Sequence, residues 1–210
     1  RGLYAITDSH LIPADKLTDQ VAAAIRGGAA VIQYRDKSSS PEQRQQQAAT
    51  LVSLCHDHGI PLIINDDAEL AAAAGADGVH LGKSDSTLRS ARKRLGANAV
   101  IGVSCYNEFE RAVEAAREGA DYVAFGRFFP SQSKPDAVTA DPELLRQARQ
   151  RLSIPVVAIG GITPENGPPL VTAGAQLLAA IHGVFGQADT EAAARRYAEL
   201  FTAYRDETEC

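Results

Sequence analysis

Eight short apolar runs, most of them rich in β-branched residues, alternate with Ala-rich amphipathic stretches along the 210 residues of the chain. Gly-Ala phrases at Gly28, Gly75, Gly119 and Gly174 stand just ahead of four of the runs. Alternation of this kind builds right-handed βαβ units on a parallel sheet. It predicts the α/β class and, within it, a single-domain (β/α)8 TIM barrel of eight parallel strands spanning residues 1–210. At about 26 residues per unit the repeat is compact for such a barrel. An open doubly wound sheet usually has fewer strands and a Gly-rich fingerprint after the first. Here the first run is followed by Asp8, Ser9 and His10, so the barrel is the better reading.

The first strand is predicted at Leu3–Thr7 and is followed by a helix over Leu17–Gly27. The second, Ala30–Arg35, leads to a helix over Pro41–His58, which opens on Ser40-Pro41 and stops at Gly59. A capping serine with proline at the start and glycine past the end is the pairing that helices prefer. Strand Pro61–Asp66 precedes helix Asp67–Ala74, and Gly78–Leu81 precedes Ser86–Leu95. Val100–Ser104 is joined to Glu108–Glu118, Tyr122–Gly126 to Pro142–Leu152, and Pro155–Gly160 to Pro164–Ala173. The last strand, Leu177–Ile181, is followed by a closing helix at about 190–205. A helix C-cap accounts for the glycine of each Gly-Ala phrase without invoking function.

Composition narrows the functional classes. With 45% hydrophobic and 22% charged residues, disorder and collagen-like structure are excluded. Lys plus Arg number 21 and Asp plus Glu 26, a net charge of −5 without a basic block, which argues against nucleic acid as the main partner. Apolar runs such as Leu177 to Ile181 are far too short to cross a bilayer. No secretory signal pattern opens the chain. Three cysteines, an odd number without metal-ligand spacing, lead us to expect a reducing cytoplasm. The chain carries no Met, so the initiator is expected upstream of Arg1. Whether copies assemble into a homo-oligomer is left open.

In a barrel of this kind the active site lies at the C-terminal ends of the strands. Polar residues gather there. The second strand ends in Gln33-Tyr34-Arg35-Asp36-Lys37, and alternation along a strand predicts that Gln33, Arg35 and Lys37 point together into the mouth. The third ends in Asn65-Asp66-Asp67, and the fourth runs through His80 to Lys83-Ser84-Asp85. Ser104 ends the fifth, and the sixth leads to Arg127 and then Ser131-Gln132-Ser133-Lys134. Gly160-Gly161 follow the seventh, and Ile181-His182-Gly183 close the eighth. Any one of these charges is best read as a solvated loop residue; loops converging on one rim are harder to dismiss. Arg35, Lys37 and Lys134 suit phosphate oxygens. Asp66 and Asp85 are hard ligands suited to Mg2+, which takes one or two carboxylates and completes its shell with phosphate and water. Gly160 and Gly161 let backbone N–H groups approach an anion. Two anionic subsites are therefore expected: a metal–diphosphate site near strands two to four and a monophosphate site at strands seven and eight.

The remaining candidates read as structural. His56 and His58 sit at a helix end, His80 is expected to be a satisfied histidine inside an apolar strand, and Cys55 falls on an apolar helix face. Cys105 follows a strand end but no His/Asp pattern marks it as a nucleophile, and Cys210 is terminal.

Taken together, Gln33-Tyr34-Arg35-Asp36-Lys37, Asn65-Asp66-Asp67, the run from Gly78 to Asp85, Gly102-Val103-Ser104, Ala120-Asp121-Tyr122 and Ala158-Ile159-Gly160-Gly161-Ile162 resemble the thiamine-phosphate synthase family. The likeness runs in order from about Leu3 to Phe185. It implies a barrel that joins a hydroxymethylpyrimidine diphosphate to a thiazole monophosphate with Mg2+, giving thiamine monophosphate and diphosphate. It places the pyrimidine-diphosphate contacts on Gln33 to Lys37, Asn65, Ser104 and Lys134, with Arg35, Lys37, Ser104 and Lys134 serving the chemistry. It places the metal on Asp66 and Asp85, and the thiazole phosphate on Ser131, Gln132, Ser133, Gly161, Ile181 and His182. The implied chemistry is dissociative: diphosphate leaves, the aminopyrimidine stabilises a methylene carbocation, and the thiazole nitrogen attacks it. Such a reaction needs no protein nucleophile.

Three positions depart from the commonest family pattern. Arg127 stands where an apolar residue or proline is usual, Ser131-Gln132-Ser133 replaces a threonine-rich loop, and His182 replaces serine. A related barrel, the thiazole tautomerase, carries a histidine where this chain has Arg127; a guanidinium stays charged and is a poor proton shuttle. A non-catalytic phosphometabolite-binding barrel is disfavoured because both Asp66 and Asp85 are present. A phosphate-handling barrel isomerase would not require that metal pair.

Overall fold

The protein is described here by a computed structural model covering residues 1–82, 87–130 and 139–206, with only the backbone at 203–206. Strands β1 (Gly2–Ile6), β2 (Ala29–Tyr34), β3 (Leu62–Asn65), β4 (Gly78–Leu81), β5 (Val100–Tyr106), β6 (Tyr122–Phe125), β7 (Val156–Ile159) and β8 (Leu177–Ala180) form one closed barrel in chain order. Every neighbouring pair is parallel, and β8 closes onto β1 through Gly2–Leu177 to Ala5–Ala180. The helices are α1 (Leu17–Arg26), α2 (Pro41–Asp57), α3 (Ala68–Ala74), α4 (Leu88–Leu95), α5 (Phe109–Arg117), α6 (Glu143–Arg151), α7 (Pro168–Ala173), α8 (His182–Phe185) and α9 (Thr190–Asp206). This is the predicted (β/α)8 barrel.

Alternation along the strands divides the apolar residues into two cores. Tyr4, Ile6, Ile63, Tyr122, Ala124, Val157 and Ala179 fill the barrel interior. Outward residues such as Leu3, Ile32, Leu62, Ile101 and Leu178, all fully buried, pack beneath the helices. Each such aliphatic side chain contributes roughly 2 kcal/mol of burial.

The Gly-Ala phrases behave as helix stops, their glycines at φ between 72° and 125°. The residue after three of the phrases adds something the spacing did not reveal. Asp77 accepts the Leu62 N–H at 2.8 Å, Asp121 the Ile101 N–H at 2.7 Å, and Gln176 the Val156 N–H at 2.8 Å. Three turns thus tie the first or second residue of a neighbouring strand and satisfy backbone donors at the barrel base.

The differences from the predicted elements are local. β3 stops at Asn65, because Asp66 takes a left-handed conformation at φ 64°. β5 continues past Ser104 to Tyr106, with a register shift against β6. α7 begins at Pro168 rather than Pro164, because a turn intervenes: Asn166 Oδ1 accepts the Thr163 N–H at 2.8 Å. The short helix α8 was not anticipated. The predicted start of the fourth helix, Ser86, lies outside the described residues; Thr87 caps α4 through the Ser90 N–H. Cys55 and Cys105 are free and buried in the outer core; the sequence predicts this of Cys55, whereas it places Cys105 only after a strand end. Burial pushes each thiol up to about 12, so Cys105 is no nucleophile.

Candidate active site

Among the described residues, the two larger depressions open at the C-terminal end of the barrel. The central one, of about 380 Å3, is floored by Tyr4 and walled by Ile6, Ala124, Val157, Ile159, Ala179 and Ile181. Gln33, Arg35, Asn65, His80, Ser104 and Tyr106 supply polar groups on one side; Gly160, Gly161, Thr163, His182 and Gly183 do so on the other. The second, of about 450 Å3, is a cleft on the rim between β2, β3, α3 and α4, lined by Asp36, Lys37, Arg44, Asn65, Asp66, Asp67, Glu69 and Arg94. Asn65 lines both. A mostly apolar chamber with a few convergent polar groups is the usual form of a small-molecule site.

The segment after β2 separates residues expected to act together. Gln33 is 3% exposed and faces the barrel interior. Arg35 also reaches the central pocket, where its Nη1 pairs with Asp8 Oδ2 at 2.5 Å; its N–H donates to Thr7 Oγ1 at 2.8 Å. Lys37 does not join them. The strand ends at Tyr34, the chain turns, and Lys37 Nζ lies in the rim cleft, 3.4 Å from Asp66 Oδ2. The expectation of one shared face for Gln33, Arg35 and Lys37 is corrected accordingly. Tyr34 points the opposite way, into the helix layer, with its hydroxyl donating to Gln47 Oε1 at 2.6 Å. Asp36 organises the turn. Its carboxylate accepts the N–H groups of Ser38 and Ser39 at 2.8 and 3.0 Å. Partial burial opposes its ionisation, but hydrogen bonds from Ser39 and Ser38 outweigh this and hold it well below the usual carboxylate range.

Ser104 lines the pocket where α5 holds it: Arg111 Nε donates to the Ser104 carbonyl at 2.8 Å. At the opposite wall Gly161 stands at φ 62°, and a Cβ there would lie 2.2 Å from the Pro130 carbonyl oxygen and 2.8 Å from that of Phe129. Glycine at this position is required by the loop after β6, apart from any approach of an anion to its N–H. Nearby, buried Tyr197 of α9 donates to the Ile162 carbonyl at 2.7 Å. A Cβ at Gly183 would sit 2.0 Å from the Tyr197 hydroxyl, so α9 clamps the loops after β7 and β8 together. Ile181 caps α8, whose first N–H groups, at His182 and Gly183, have no intrahelical acceptor. The His182 side chain is exposed, its ring close to Gly186. Arg127 lines the central pocket beneath Gly160. Asp85, Ser131, Gln132, Ser133 and Lys134 lie outside the described residues.

Sequence reasoning passed over Tyr4, Tyr122 and His80 as site residues. All three face the barrel interior, and His80 is hydrogen-bonded to Tyr122 and Ser104 at 2.9 Å each. The signal was a polar residue at an inward strand position, where burial demands a partner.

A family model described as thiamine monophosphate synthase matches residues 3–184. The chain belongs to the thiamine monophosphate synthase family. It is 54% identical over 204 residues to the thiamine-phosphate synthase of Nitrosococcus oceani, covering 97% of this chain and 94% of that one. With the thiamine-phosphate synthase of Alcanivorax borkumensis it shares 51% identity over 207 residues, 97% and 95% of the two chains. Among solved structures, the thiamine phosphate pyrophosphorylase of Pyrococcus furiosus superposes with a TM-score of 0.86 at 32% identity, covering 96% of each chain.

Family membership sharpens what the glycine-rich wall should tolerate. Gly161→Val is expected to lower the melting temperature by several degrees, about 1–3 kcal/mol of combined left-handed strain and overpacking. It should also raise KM for the thiazole phosphate. His182→Ser, which keeps the backbone N–H, should retain near-normal kcat. Thermal melts and steady-state kinetics on both variants check this; a severe kcat loss in His182→Ser would assign a role to its side chain.

Proposed function

We propose that this protein is a thiamine-phosphate synthase, a transferase of thiamine biosynthesis. It couples 4-amino-2-methyl-5-(diphosphooxymethyl)pyrimidine with thiazole monophosphate and releases thiamine monophosphate and diphosphate. The observation that carries the reading is the pairing of an apolar chamber of about 380 Å3 with a separate charged rim cleft, joined at Asn65. The chamber suits two aromatic rings; the cleft suits a departing diphosphate. A reducing cytoplasmic setting is proposed with it, in keeping with the two buried free thiols. Among the described residues no helix is long and apolar enough to cross a membrane.

The rim cleft fits a divalent cation. Asp66 offers hard carboxylate oxygens that are one-third exposed, with Lys37 as their ion-pair partner. One or two carboxylates, completed by phosphate oxygens and water, make the usual Mg2+ shell. Asp66 and Asp85 would hold the ion, and when bound it supplies neutralising charge for the diphosphate. The chain's own groups do the rest. Arg35, anchored by Asp8 and Thr7, presents fixed positive charge at the pyrimidine side of the pocket. Ser104 offers a hydroxyl from a strand end held by Arg111. The apolar wall of Ile6, Val157, Ile159 and Ile181 excludes water from an electrophilic carbon. Gly161, with the N–H groups of His182 and Gly183, receives the thiazole phosphate and fixes the nitrogen that attacks. Arg127 in place of an ionisable histidine leaves this wall without the proton shuttle a tautomerase would use.

The experiment is a coupling assay with both precursors and Mg2+, run beside a thiazole tautomerisation assay. Formation of thiamine monophosphate is expected; tautomerisation without coupling would overturn the reading. Lys134→Ala is expected to lower kcat by about 10²-fold, because charge on the leaving diphosphate grows as the C–O bond breaks. The sequence reads Lys134 as a solvated loop residue, and such a residue contributes little to stability, so the melting temperature should be unchanged. Steady-state kinetics and a melt on the same sample check both halves.

A further inference from the structure

Five polar side chains, four of them lining the central pocket and Tyr122 in the interior core, are hydrogen-bonded in one line. Gln33 Nε2 donates to Tyr4 Oη at 2.8 Å, and the Tyr4 and Tyr122 hydroxyls stand 2.7 Å apart. Tyr122 Oη lies 2.9 Å from His80 Nδ1, and His80 Nε2 lies 2.9 Å from Ser104 Oγ. The line ends on Ser104, which the proposed function uses, and begins on Gln33, which the family resemblance places at the pyrimidine diphosphate. Its middle runs through the apolar interior core, where an unsatisfied polar group is costly and a fully connected set is rigid.

Each hydroxyl has a single proton, so the direction of one bond sets the direction of the next. The Gln33 N–H donates to Tyr4, so Tyr4 donates to Tyr122 and Tyr122 donates to His80 Nδ1. With His80 Nδ1 as acceptor, the ring proton that faces Ser104 lies on Nε2 and is donated to Ser104 Oγ. Two consequences face the pocket. Gln33 presents its carbonyl oxygen, which makes no hydrogen bond among the described residues, and Ser104 keeps its own O–H to donate. Turning the Gln33 amide over reverses every bond, leaving an NH2 at one wall and only hydroxyl lone pairs at the other. The first polarity matches an exocyclic amino group at Gln33 and an anionic oxygen at Ser104. The second matches neither.

We propose that Tyr4, Tyr122 and His80 are positioning residues whose hydrogen-bond direction makes the site select a 4-aminopyrimidine bearing an anionic leaving group over its 4-oxo counterpart. The inference rests on the proposed function and deepens it. Two features beyond the chain geometry support it. Burial raises the pKa of both phenols, so neither gives up the proton the line depends on. At Gly102 a Cβ would lie 1.9 Å from Tyr122 Cζ, so β5 leaves the space in which that ring crosses the floor.

The test measures dissociation constants of the 4-amino and 4-oxo pyrimidine diphosphates with Mg2+ and no thiazole partner. The wild-type protein should favour the amino compound by about 10²-fold, since the oxo compound sets two acceptors face to face. Tyr4→Phe and Tyr122→Phe each release the Gln33 amide to turn, and each should shrink that preference to about tenfold or less. Once the line is cut a second cut has nothing further to remove, so the double variant should match the singles. A purely structural role would weaken both compounds together, and an unchanged preference overturns the proposal. Nitrogen NMR of His80 in the wild-type protein gives an answer independent of variant folding. A proton on Nε2 supports the line; a proton on Nδ1 overturns it. A wild-type protein that binds neither pyrimidine overturns the proposed function itself, whereas one that binds the amino compound with a preference indifferent to both variants overturns only the line.

Discussion

Asp66→Asn is expected to lower kcat/KM for coupling by about 10³-fold while leaving the fold intact. The substitution is chosen for its backbone. Asp66 stands at φ 64°, a left-handed conformation that asparagine accepts more readily than alanine, so the charge is removed with little added strain. Its N–H continues to donate to the His80 carbonyl at 2.8 Å. The loss falls on the carboxylate that faces the rim cleft, so it should appear in the pyrimidine-diphosphate KM and in kcat, with the thiazole-phosphate KM little changed. The melting temperature should move by no more than about 2 °C. EDTA should abolish turnover of the wild-type protein and Mg2+ should restore it. Steady-state kinetics in chelated and Mg2+-containing buffers, with a melt of the variant, decide the matter. Undiminished turnover in metal-free buffer would remove Asp66 from the metal assignment.

Arg35→Ala is expected to be costly twice over. Asp8 is 8% exposed and its Oδ2 lies 2.5 Å from the guanidinium, so truncation strands a largely buried carboxylate. Removing one partner of a fully buried pair costs 3–5 kcal/mol in the general case; for this partly exposed pair about 2 kcal/mol is expected. Activity should fall by about 10³-fold, because the same guanidinium lines the central pocket at the wall that the proposed function gives to the pyrimidine substrate. The two effects separate in the double variant Asp8→Asn/Arg35→Ala. Replacing the stranded carboxylate by a neutral amide should recover more than half of the lost stability and none of the activity. Denaturant titration and kinetics on the wild type, both singles and the double measure it. Activity that returned together with stability would make Arg35 a structural residue alone.

Much of the molecule was legible from residue order. The change between period-2 apolar runs and helical stretches, with a Gly-Ala phrase ahead of four strands, is a local property, and it delivered eight strands in the right places. Ser40-Pro41 marked the start of α2 because capping is settled within one turn; Ser40 Oγ does accept the Gln43 N–H at 3.3 Å. The crowding of polar residues at strand ends likewise marked the rim, since a closed parallel barrel gathers all its βα loops at one end.

What residue order did not decide depends on where strands stop and what lies across the barrel. Lys37 was two residues too far along to share a face with Arg35, because β2 ends where its ladder with β3 ends, at Tyr34–Ile64. Asp66 leaves the strand in a left-handed turn that no local preference of Asn65-Asp66-Asp67 required. Polar residues at inward strand positions marked Tyr4, His80 and Tyr122 as needing partners, but not which ones, because those partners are remote in the chain. Tyr4 and Tyr122 are 118 residues apart and meet at 2.7 Å only once β8 has closed onto β1. Residue order alone determined the barrel, since hydrophobic periodicity and capping act over a few residues. Closure decided which polar groups meet inside it, because a buried hydroxyl or imidazole must take its hydrogen bonds from whatever side chains the opposite wall presents.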